Sequence, residues 1–268
     1  MSRHLTQLLA RLQHQPAVLV TVAQAQGSVP RDAGAWMAVF PEHVLNTVGG
    51  GHLEQDAIEA ARAMLAGGDA LPQTLRFALG PSLGQCCGGV VHLQLKVIRA
   101  VDSAGLQRRL RQTGPTVALF GGGHVGHALV RVLGELPFAV QWLDSRDAIF
   151  PGDLPANVVC EQSEPVQAAV PRLPAQSRVL IMSFSHAEDL DIVAACLLRQ
   201  RAQADLRFIG LIGSQTKWAT FRKRLQARGF SEAELAQVTS PIGVPGIPGK
   251  APEVIAVAVA AQLLQLGD

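Results

Sequence analysis

The pattern of apolar residues in the middle of the chain changes abruptly from a short run to a helical repeat. Residues 117–120 form an apolar run that predicts a buried strand, and apolar residues then recur at helical spacing through residues 125–133. A second apolar run at residues 139–143 follows and ends in Asp144. This order predicts a strand, a helix and a second strand around an intervening glycine-rich turn.

The remainder of the second half continues to alternate between strand and helix patterns. Short apolar runs predict strands at residues 157–160, 179–182 and 208–211, and helical spacing predicts helices around residues 190–198 and 218–225. Ser231 with Glu234 forms a capping-box pattern, which predicts a further short helix. The alternation predicts a Rossmann-like, doubly wound parallel sheet.

The first half shows a different order of elements. Leucines at helical spacing over residues 5–12 predict an amphipathic helix, and apolar runs predict strands at residues 17–22 and 35–40. A glycine-rich turn opens a second helix near residue 51, and residues 75–79 and 90–98 are typical of a strand pair. We therefore expect an α/β fold with an N-terminal α/β domain at 1–105, a linker at 106–115 and a Rossmann-like domain at 116–268.

Composition narrows the class of protein. The chain has 268 residues, 48% of them hydrophobic and 16% charged, with a net charge of +2, which predicts a globular protein and argues against nucleic-acid binding. The first residues lack a signal-peptide core, and no apolar run has membrane-spanning length. Four cysteines without a CxxC pair predict a reducing, cytoplasmic environment.

The turn at residues 121–126 matches the G-x-G-x-x-G pattern of dinucleotide-binding folds. In that pattern Gly121 permits the tight turn, Gly123 lets a pyrophosphate approach the backbone, and Gly126 lets the helix pack on the strand. Asp144 lies where such folds place a ribose-binding carboxylate, and Arg146 nearby either favours a phosphorylated ribose or is solvated. A Rossmann unit kept only as a scaffold explains the same pattern equally well.

Two adjacent cysteines, Cys86 and Cys87, lie in a glycine-rich stretch after Gln85. The ordinary interpretation is that they are buried and act as small hydrophobic residues. The surrounding glycines favour a second interpretation, in which an accessible thiol contacts a soft metal or a sulfur-bearing cofactor.

Two further glycine-rich stretches offer donors for an anion. In residues 27–31, Ser28 and Arg31 bring a hydroxyl and a guanidinium close together, although a surface loop is an equally simple explanation. In residues 49–54, backbone N–H groups of Gly50 and Gly51 begin a helix, and Glu54 either contacts a ligand or complements the helix dipole from the first turn.

Two basic side chains in the second half are candidates for the Rossmann crevice. His186 follows a predicted strand at the edge where α/β folds bind ligands, and it is either a proton carrier or a helix-capping or loop histidine. Lys250 precedes a helix that begins near Pro252, and it either binds a phosphate or is exposed.

Taken together, these stretches resemble the XdhC/CoxI family of xanthine dehydrogenase accessory proteins. The resemblance rests on the order and spacing of the glycine-rich stretches at residues 27–31, 49–54, 84–89, 121–126 and 210–214, with Lys217 and residues 241–252. It implies a chaperone without turnover that binds the molybdenum cofactor in its molybdopterin form. It also implies that a cysteine desulfurase supplies sulfur and that the cofactor is delivered to apo xanthine dehydrogenase.

The resemblance further implies a homodimer, with Cys86 or Cys87 contacting the cofactor. The sequence departs from the family pattern at Ser183 and Ser185, near His186, and at Ser240 before Pro241. Two other functions stay open, an NAD(P)-dependent oxidoreductase and a nucleotide-sensing scaffold that uses the Rossmann domain. The sequence contains no tyrosine, so an oxidoreductase of the Tyr–Lys type is excluded.

Overall fold

A computed structural model of the chain describes residues 3–68, 71–79, 88–110 and 114–267. The chain divides into two compact units, Met1–Arg111 and Gln112–Asp268, called unit 1 and unit 2 below.

Unit 1 contains a five-stranded antiparallel sheet. The strands lie in the order β3-β2-β1-β5-β4. In chain order the elements are α1 (Arg3–Leu12), β1 (Ala17–Gln26), β2 (Trp36–Val39), β3 (Val44–Asn46), α2 (Gly51–Ala66), β4 (Gln73–Ala78), β5 (Val90–Ile98), a 3₁₀ turn (Ala100–Asp102) and α3 (Ser103–Leu110).

The two faces of this sheet are covered differently. Val22, Leu93 and Leu95 point to one face and form a buried cluster with α2. On the other face, Leu19 and Ile98 are buried with leucines of α1 and α3. The pairing of β1 with β5 shifts between Val22 and Gln24, which leaves Ala23 as a β-bulge. The sequence analysis assigned residues 106–115 to a linker, and α3 buries Leu106 and Leu110 in this cluster.

Unit 2 contains a six-stranded parallel sheet. Its elements are β6 (Thr116–Phe120), α4 (His124–Gly134), β7 (Ala139–Asp144), β8 (Val158–Gln162), a 3₁₀ segment (Val166–Arg172), β9 (Arg178–Ile181), α5 (His186–Gln203), β10 (Phe208–Leu211), α6 (Gln215–Ala227), α7 (Glu232–Leu235), β11 (Val238–Thr239) and α8 (Pro252–Gln265). The strands lie in the order β11-β10-β9-β6-β7-β8, and every pair is parallel.

This order is that of a Rossmann fold, with the direction of winding reversed between β6 and β9. Helices α4 and α8 cover one face of the sheet, where Leu129 and Val259 are buried with Leu119. Helices α5 and α6 cover the other, where Val193 and Phe221 are buried. The predicted α/β fold, with an N-terminal α/β domain and a Rossmann-like doubly wound parallel sheet, is confirmed.

Two local features follow the sequence pattern closely. The Ser231 hydroxyl caps α7 by accepting from Glu234 N–H, and the Glu234 carboxylate accepts from Ser231 N–H at 2.8 Å, which is the predicted capping box. In the described part of the chain, no helix combines the length and the apolar character needed to cross a bilayer.

Candidate functional site

The G-x-G-x-x-G turn of unit 2 joins β6 to α4 at the point where the winding direction reverses. Gly121 has φ +124°, and a Cβ there would overlap the carbonyl oxygen of Met182, so the two loops at the carboxyl ends of β6 and β9 touch through their backbones. A Cβ at Gly126 would overlap the carbonyl oxygen of Gly121, which is the close helix packing that the pattern predicts. Gly123 has open space at its Cβ position, so this part of the turn can be approached.

Asp144 ends β7 beside this turn and is 2% exposed. Its Oδ2 atom accepts from Gly122 N–H at 2.6 Å, and its Oδ1 atom accepts from Arg146 N–H at 2.9 Å. The Arg146 guanidinium donates to both oxygens at 2.9 Å. Burial raises the pKa of Asp144, but the hydrogen bonds from Arg146 and Gly122 together outweigh burial and hold this pKa below its ordinary value.

Arg146 also lies over the ring of Phe184, 4.7 Å from its centroid, and Phe184 is 66% exposed. Both oxygens of Asp144 are therefore engaged by a cation that packs on an aromatic ring at the edge of the crevice. A ribose diol that used Asp144 as its acceptor would have to displace Arg146.

A buried polar network that the sequence analysis missed lies at the carboxyl ends of β9 and β10. Asp189 is 2% exposed, and its Oδ1 atom accepts from Ser183 N–H at 2.8 Å and from the Ser183 hydroxyl at 2.7 Å. Its Oδ2 atom accepts from Lys217 Nζ at 2.6 Å, and Lys217 donates also to the Ile212 carbonyl at 2.9 Å. The sequence feature that could have indicated this network is Asp189, an acidic residue three positions after His186 in the first turn of α5.

The two basic candidates of unit 2 are exposed. His186 is the first residue of α5, and its ring lies edge-on to Phe221 with centroids 6.2 Å apart. Ser185 is the N-cap residue of this helix, and its side chain accepts from Glu188 N–H at 3.2 Å. Lys250 is exposed in the loop before α8. Neither side chain belongs to the network around Asp189.

In unit 1, the turn at residues 49–54 is closed by its own acid. One Glu54 oxygen accepts from Val48 N–H at 2.9 Å, from Gly50 N–H at 3.2 Å and from the Thr47 hydroxyl. Gly50 is the N-cap residue of α2 and, like Gly51, has positive φ. The Glu54 carboxylate therefore already occupies the Gly50 N–H group, which the sequence analysis proposed as a donor to a bound anion.

Three glycine-rich stretches of unit 1 lie side by side. A Cβ at Gly49 would be 2.5 Å from Pro30 Cγ, and one at Gly27 would be 3.2 Å from Gly89 Cα. A Cβ at Gly89 would be 2.5 Å from the carbonyl oxygen of Ser28. Only the absence of side chains allows these approaches, so the glycines bring the three stretches into contact. We call residues 27–31, 49–54 and 88–89 the glycine cluster of unit 1.

Ser28 and Arg31 are exposed on this cluster, and so are Gly51 and Gly88. Gln85, Cys86 and Cys87 lie outside the described residues, immediately before Gly88 in the sequence. The structure thus brings together residues 27–31, residues 49–54 and the end of the cysteine-containing stretch at Gly88 and Gly89. The position of the two thiols stays a prediction.

The other two cysteines have no features of a reactive or metal-binding thiol. Cys196 is fully buried in α5, and burial raises the pKa of its thiol to about 12. Burial also raises the pKa of Cys160, which is partly exposed on β8. Within the described ranges, no group of three or more His, Cys, Asp or Glu side chains is arranged to hold a metal ion.

Unit 2 has a cavity of about 700 Å³ whose lining includes Pro115, Phe138, Arg178 and Arg207. These residues lie at the amino ends of β6, β7, β9 and β10. Ligands of open α/β sheets bind at the carboxyl ends of the strands, so this cavity lies at the opposite edge from the G-x-G-x-x-G turn. None of the sequence-predicted site residues lines it, and we do not assign the candidate site to it.

Comparison with known proteins agrees with the two-unit division. A family model described as the XdhC Rossmann domain matches residues 117–263, which are more than half of the chain. A second model, described as the XdhC and CoxI family, matches residues 10–78.

Individual relatives are more distant. The uncharacterized protein YqeB of Escherichia coli (strain K12) is 24% identical over 264 residues, which are 96% of this chain and 45% of YqeB. The chain therefore spans less than half the length of this relative. A crystal structure of a xanthine dehydrogenase from Bacillus halodurans has a TM-score of 0.76 and 22% identity, over 99% of this chain and 96% of that one, and this similarity shows a shared fold. By the two family matches, the chain belongs to the XdhC and CoxI family.

Proposed function

We propose that this chain is an accessory protein of xanthine dehydrogenase that binds the molybdenum cofactor in its molybdopterin form. In this proposal the chain holds the cofactor while a cysteine desulfurase supplies sulfur, and then delivers it to apo xanthine dehydrogenase. It acts in the cytoplasm as a homodimer and without catalytic turnover. Membership of the XdhC and CoxI family supports the proposal.

The observation that carries the proposal is the glycine cluster of unit 1. Its stretches approach one another through their backbones, and Gly88 of this cluster directly follows Cys87 in the sequence. When bound, the molybdenum cofactor supplies a soft metal on a dithiolene and a phosphate group. Thiols are suited to the metal, and exposed donors such as Ser28 and Arg31 are suited to hydrogen-bond acceptors of the cofactor.

Glu54 has a supporting role in this proposal. Its carboxylate is occupied by Thr47 and by the N–H groups of Val48 and Gly50, so it fixes the turn before α2. The proposal therefore assigns ligand contact to Cys86, Cys87, Gln85, Ser28 and Arg31, and assigns the shape of the cluster to Gly50, Gly51 and Glu54.

The direct test is metal and pterin analysis of the full chain purified from a molybdenum-replete host. We expect the wild-type chain to retain molybdenum and pterin, and a Cys86→Ala, Cys87→Ala double variant to retain at least about tenfold less, since each lost metal–thiolate contact removes more than the 1.4 kcal/mol that corresponds to tenfold. Cys160→Ala is the matched control, because Cys160 lies in unit 2, and we expect it to retain as much as the wild type.

Two results would contradict the proposal in different ways. Wild-type protein without pterin would remove cofactor binding itself. Equal retention by the wild type and the double variant would leave cofactor binding in place and remove the thiols from it. Transfer is measured separately, as activation of apo xanthine dehydrogenase by the loaded chain.

A second candidate function is nucleotide binding in unit 2, as a sensing scaffold or as an NAD(P)-dependent oxidoreductase. The Rossmann strand order and the open approach to Gly123 favour it. The pairing of Asp144 with Arg146 disfavours binding of a free ribose diol by Asp144. In this function the turn at Gly121, Gly123 and Gly126 binds a phosphate, and His186 or Lys250 is the available proton donor or phosphate ligand.

Calorimetric titration with the oxidised and reduced forms of NAD and NADP tests this second candidate. Binding of NADP or NADPH alone, whose ribose carries a 2′-phosphate, agrees with the pairing of Asp144 with Arg146. No heat with any of the four ligands excludes the oxidoreductase. A scaffold without cofactor transfer predicts that apo xanthine dehydrogenase is captured equally by loaded and unloaded chain.

A further inference from the structure

Three polar side chains form a row across the sheet of unit 1. His92 on β5 is directly paired with Gln24 on β1 and with Arg76 on β4. Directly opposed residues of antiparallel strands point to the same face, with Cβ atoms about 5 Å apart. The three side chains therefore share one face as neighbours. We call them the Arg76–His92–Gln24 row.

On this face Leu19 and Ile98 are buried under α1 and α3. Next to them the face is polar, with Thr21, Gln94 and Thr74 beside the row, and Val90 and Ala78 lie between the row and the glycine cluster. No aspartate or glutamate occurs anywhere in β1, β4 or β5, whereas Arg76 and Lys96 are positively charged.

The donors of the row are available. The Nδ1 atom of His92 is buried and has no hydrogen-bond partner, counting every residue that the structure describes. Over the same residues, Arg76 forms no hydrogen bond or ion pair, and its side chain is exposed. A buried polar group without a partner is destabilising, and a bound ligand that supplies a partner removes that cost.

The row is close to the glycine cluster. Two residue pairs, Ala25 with Val91 and Gln26 with Val90, separate the row from Gly27 and Gly89. Three residues of extended strand span about 10 Å. A ligand of pterin size that contacts the glycine cluster can therefore place one end over the row.

We infer that the Arg76–His92–Gln24 row binds the phosphate group of the ligand that the glycine cluster holds, an inference that rests on the proposed function. All three side chains can donate hydrogen bonds, and Arg76 carries a permanent positive charge. A guanidinium binds phosphate oxygens through two parallel hydrogen bonds, which makes Arg76 the main contact. The row thereby selects phosphorylated pterins over their alcohols.

The test compares two probes that differ only in the phosphate, 6-hydroxymethylpterin and its monophosphate. Equilibrium dialysis against the full chain should give at least about tenfold tighter binding of the monophosphate by the wild type, since tenfold corresponds to about 1.4 kcal/mol and a guanidinium–phosphate pair is charge-assisted. Arg76→Gln should abolish this preference and leave the affinity for the alcohol unchanged. Arg76→Lys, which keeps the charge without the paired donors, should fall between them.

Arg62→Gln is the matched control, because Arg62 is exposed on α2 and α2 packs on the opposite face of the sheet. It should bind both probes as the wild type does. Equal affinity of the wild type for the two probes, or a preference that survives in Arg76→Gln, would overturn the inference while pterin retention by the wild type kept the proposed function. A wild-type chain that retains no pterin would overturn both.

Discussion

The two units each contain a glycine-rich turn that leads from a strand region into a helix, and each turn is closed by a carboxylate. In unit 1 the carboxylate is that of Glu54, which lies four residues after Gly50 and accepts from its N–H. In unit 2 it is that of Asp144, which reaches Gly122 N–H from the end of the neighbouring strand, 22 residues later. The same chemistry is therefore built once from local sequence and once from tertiary structure.

The difference decides how each turn responds to change. The unit 1 turn depends on one helix and its first residues, and its acid is partly exposed. The unit 2 turn depends on the contact of two strand ends, and its acid is buried under Arg146. We expect the second turn to tolerate substitution far less than the first.

The largest effect is expected for Gly121→Ala. Its Cβ would overlap the Met182 carbonyl oxygen, and φ of +124° is unfavourable for alanine, so we expect a loss of more than about 3 kcal/mol in the free energy of unfolding of unit 2. Urea denaturation followed by circular dichroism measures it. Gly123→Ala is the control, since nothing lies within 4 Å of its Cβ position, and a similar loss there would contradict the packing argument.

A smaller effect is expected for Asp144→Asn, which removes the charge that Arg146 and Gly122 N–H bind. Arg146 is a third exposed and can be rehydrated, so we expect a loss of about 2 kcal/mol at pH 7. Because the folded-state pKa of Asp144 is lowered, this stabilisation is complete above the unfolded-state pKa of about 3.9 and is lost as the pH falls through the folded value.

The measurement is urea denaturation of the wild type and Asp144→Asn from pH 7 downward. The difference between the two proteins should be constant above about pH 5 and should shrink in acid. Asp153→Asn serves as the control, because Asp153 is exposed, and it should differ from the wild type by less than about 0.5 kcal/mol. A difference that grows in acid would reverse the assigned direction of the shift.

The smallest effect is expected for Glu54→Ala. The substitution frees the Thr47 hydroxyl and the N–H groups of Val48 and Gly50. Val48 is buried, but Thr47 and Gly50 are partly exposed, so water can replace the carboxylate at two of the three donors. We expect a loss of about 1 kcal/mol, comparable to a helix cap, confined to the start of α2. Hydrogen exchange of α2 amides measures it, and Glu59→Ala on the exposed side of the same helix should leave exchange unchanged.

The sequence was sufficient for the architecture because its evidence is local. Apolar runs predicted the strands except the short β3 and β11, and the G-x-G-x-x-G pattern with Asp144 predicted the strand–helix–strand unit from which the parallel sheet follows. The local caps were predictable for the same reason, as in Ser231 and Glu234.

The remaining features depend on contacts between distant residues. The pairing of Asp189 with Lys217 joins side chains 28 positions apart, and nothing in the spacing of either residue indicates that they meet. The hydrogen bonds from Arg146 to Asp144 also depend on side-chain geometry, since the sequence left both a solvated and a ligand-binding role open for Arg146. The convergence of Gly27, Gly49 and Gly89 appears only when β1 is paired with β5.

The β-bulge at Ala23 lies where β1 leaves the body of the sheet and approaches the glycine cluster. Between Val22 and Gln24 strand β1 contains one residue more than β5 does between Leu93 and His92, and the pairing is regular again from Gln24 to Gln26. A bulge bends its strand and increases the local twist, but it leaves the later residues opposite the same partners. The direction from which Ser28 and Arg31 approach Gly89 therefore depends on the bend in β1, independently of the chemistry of the loop that follows.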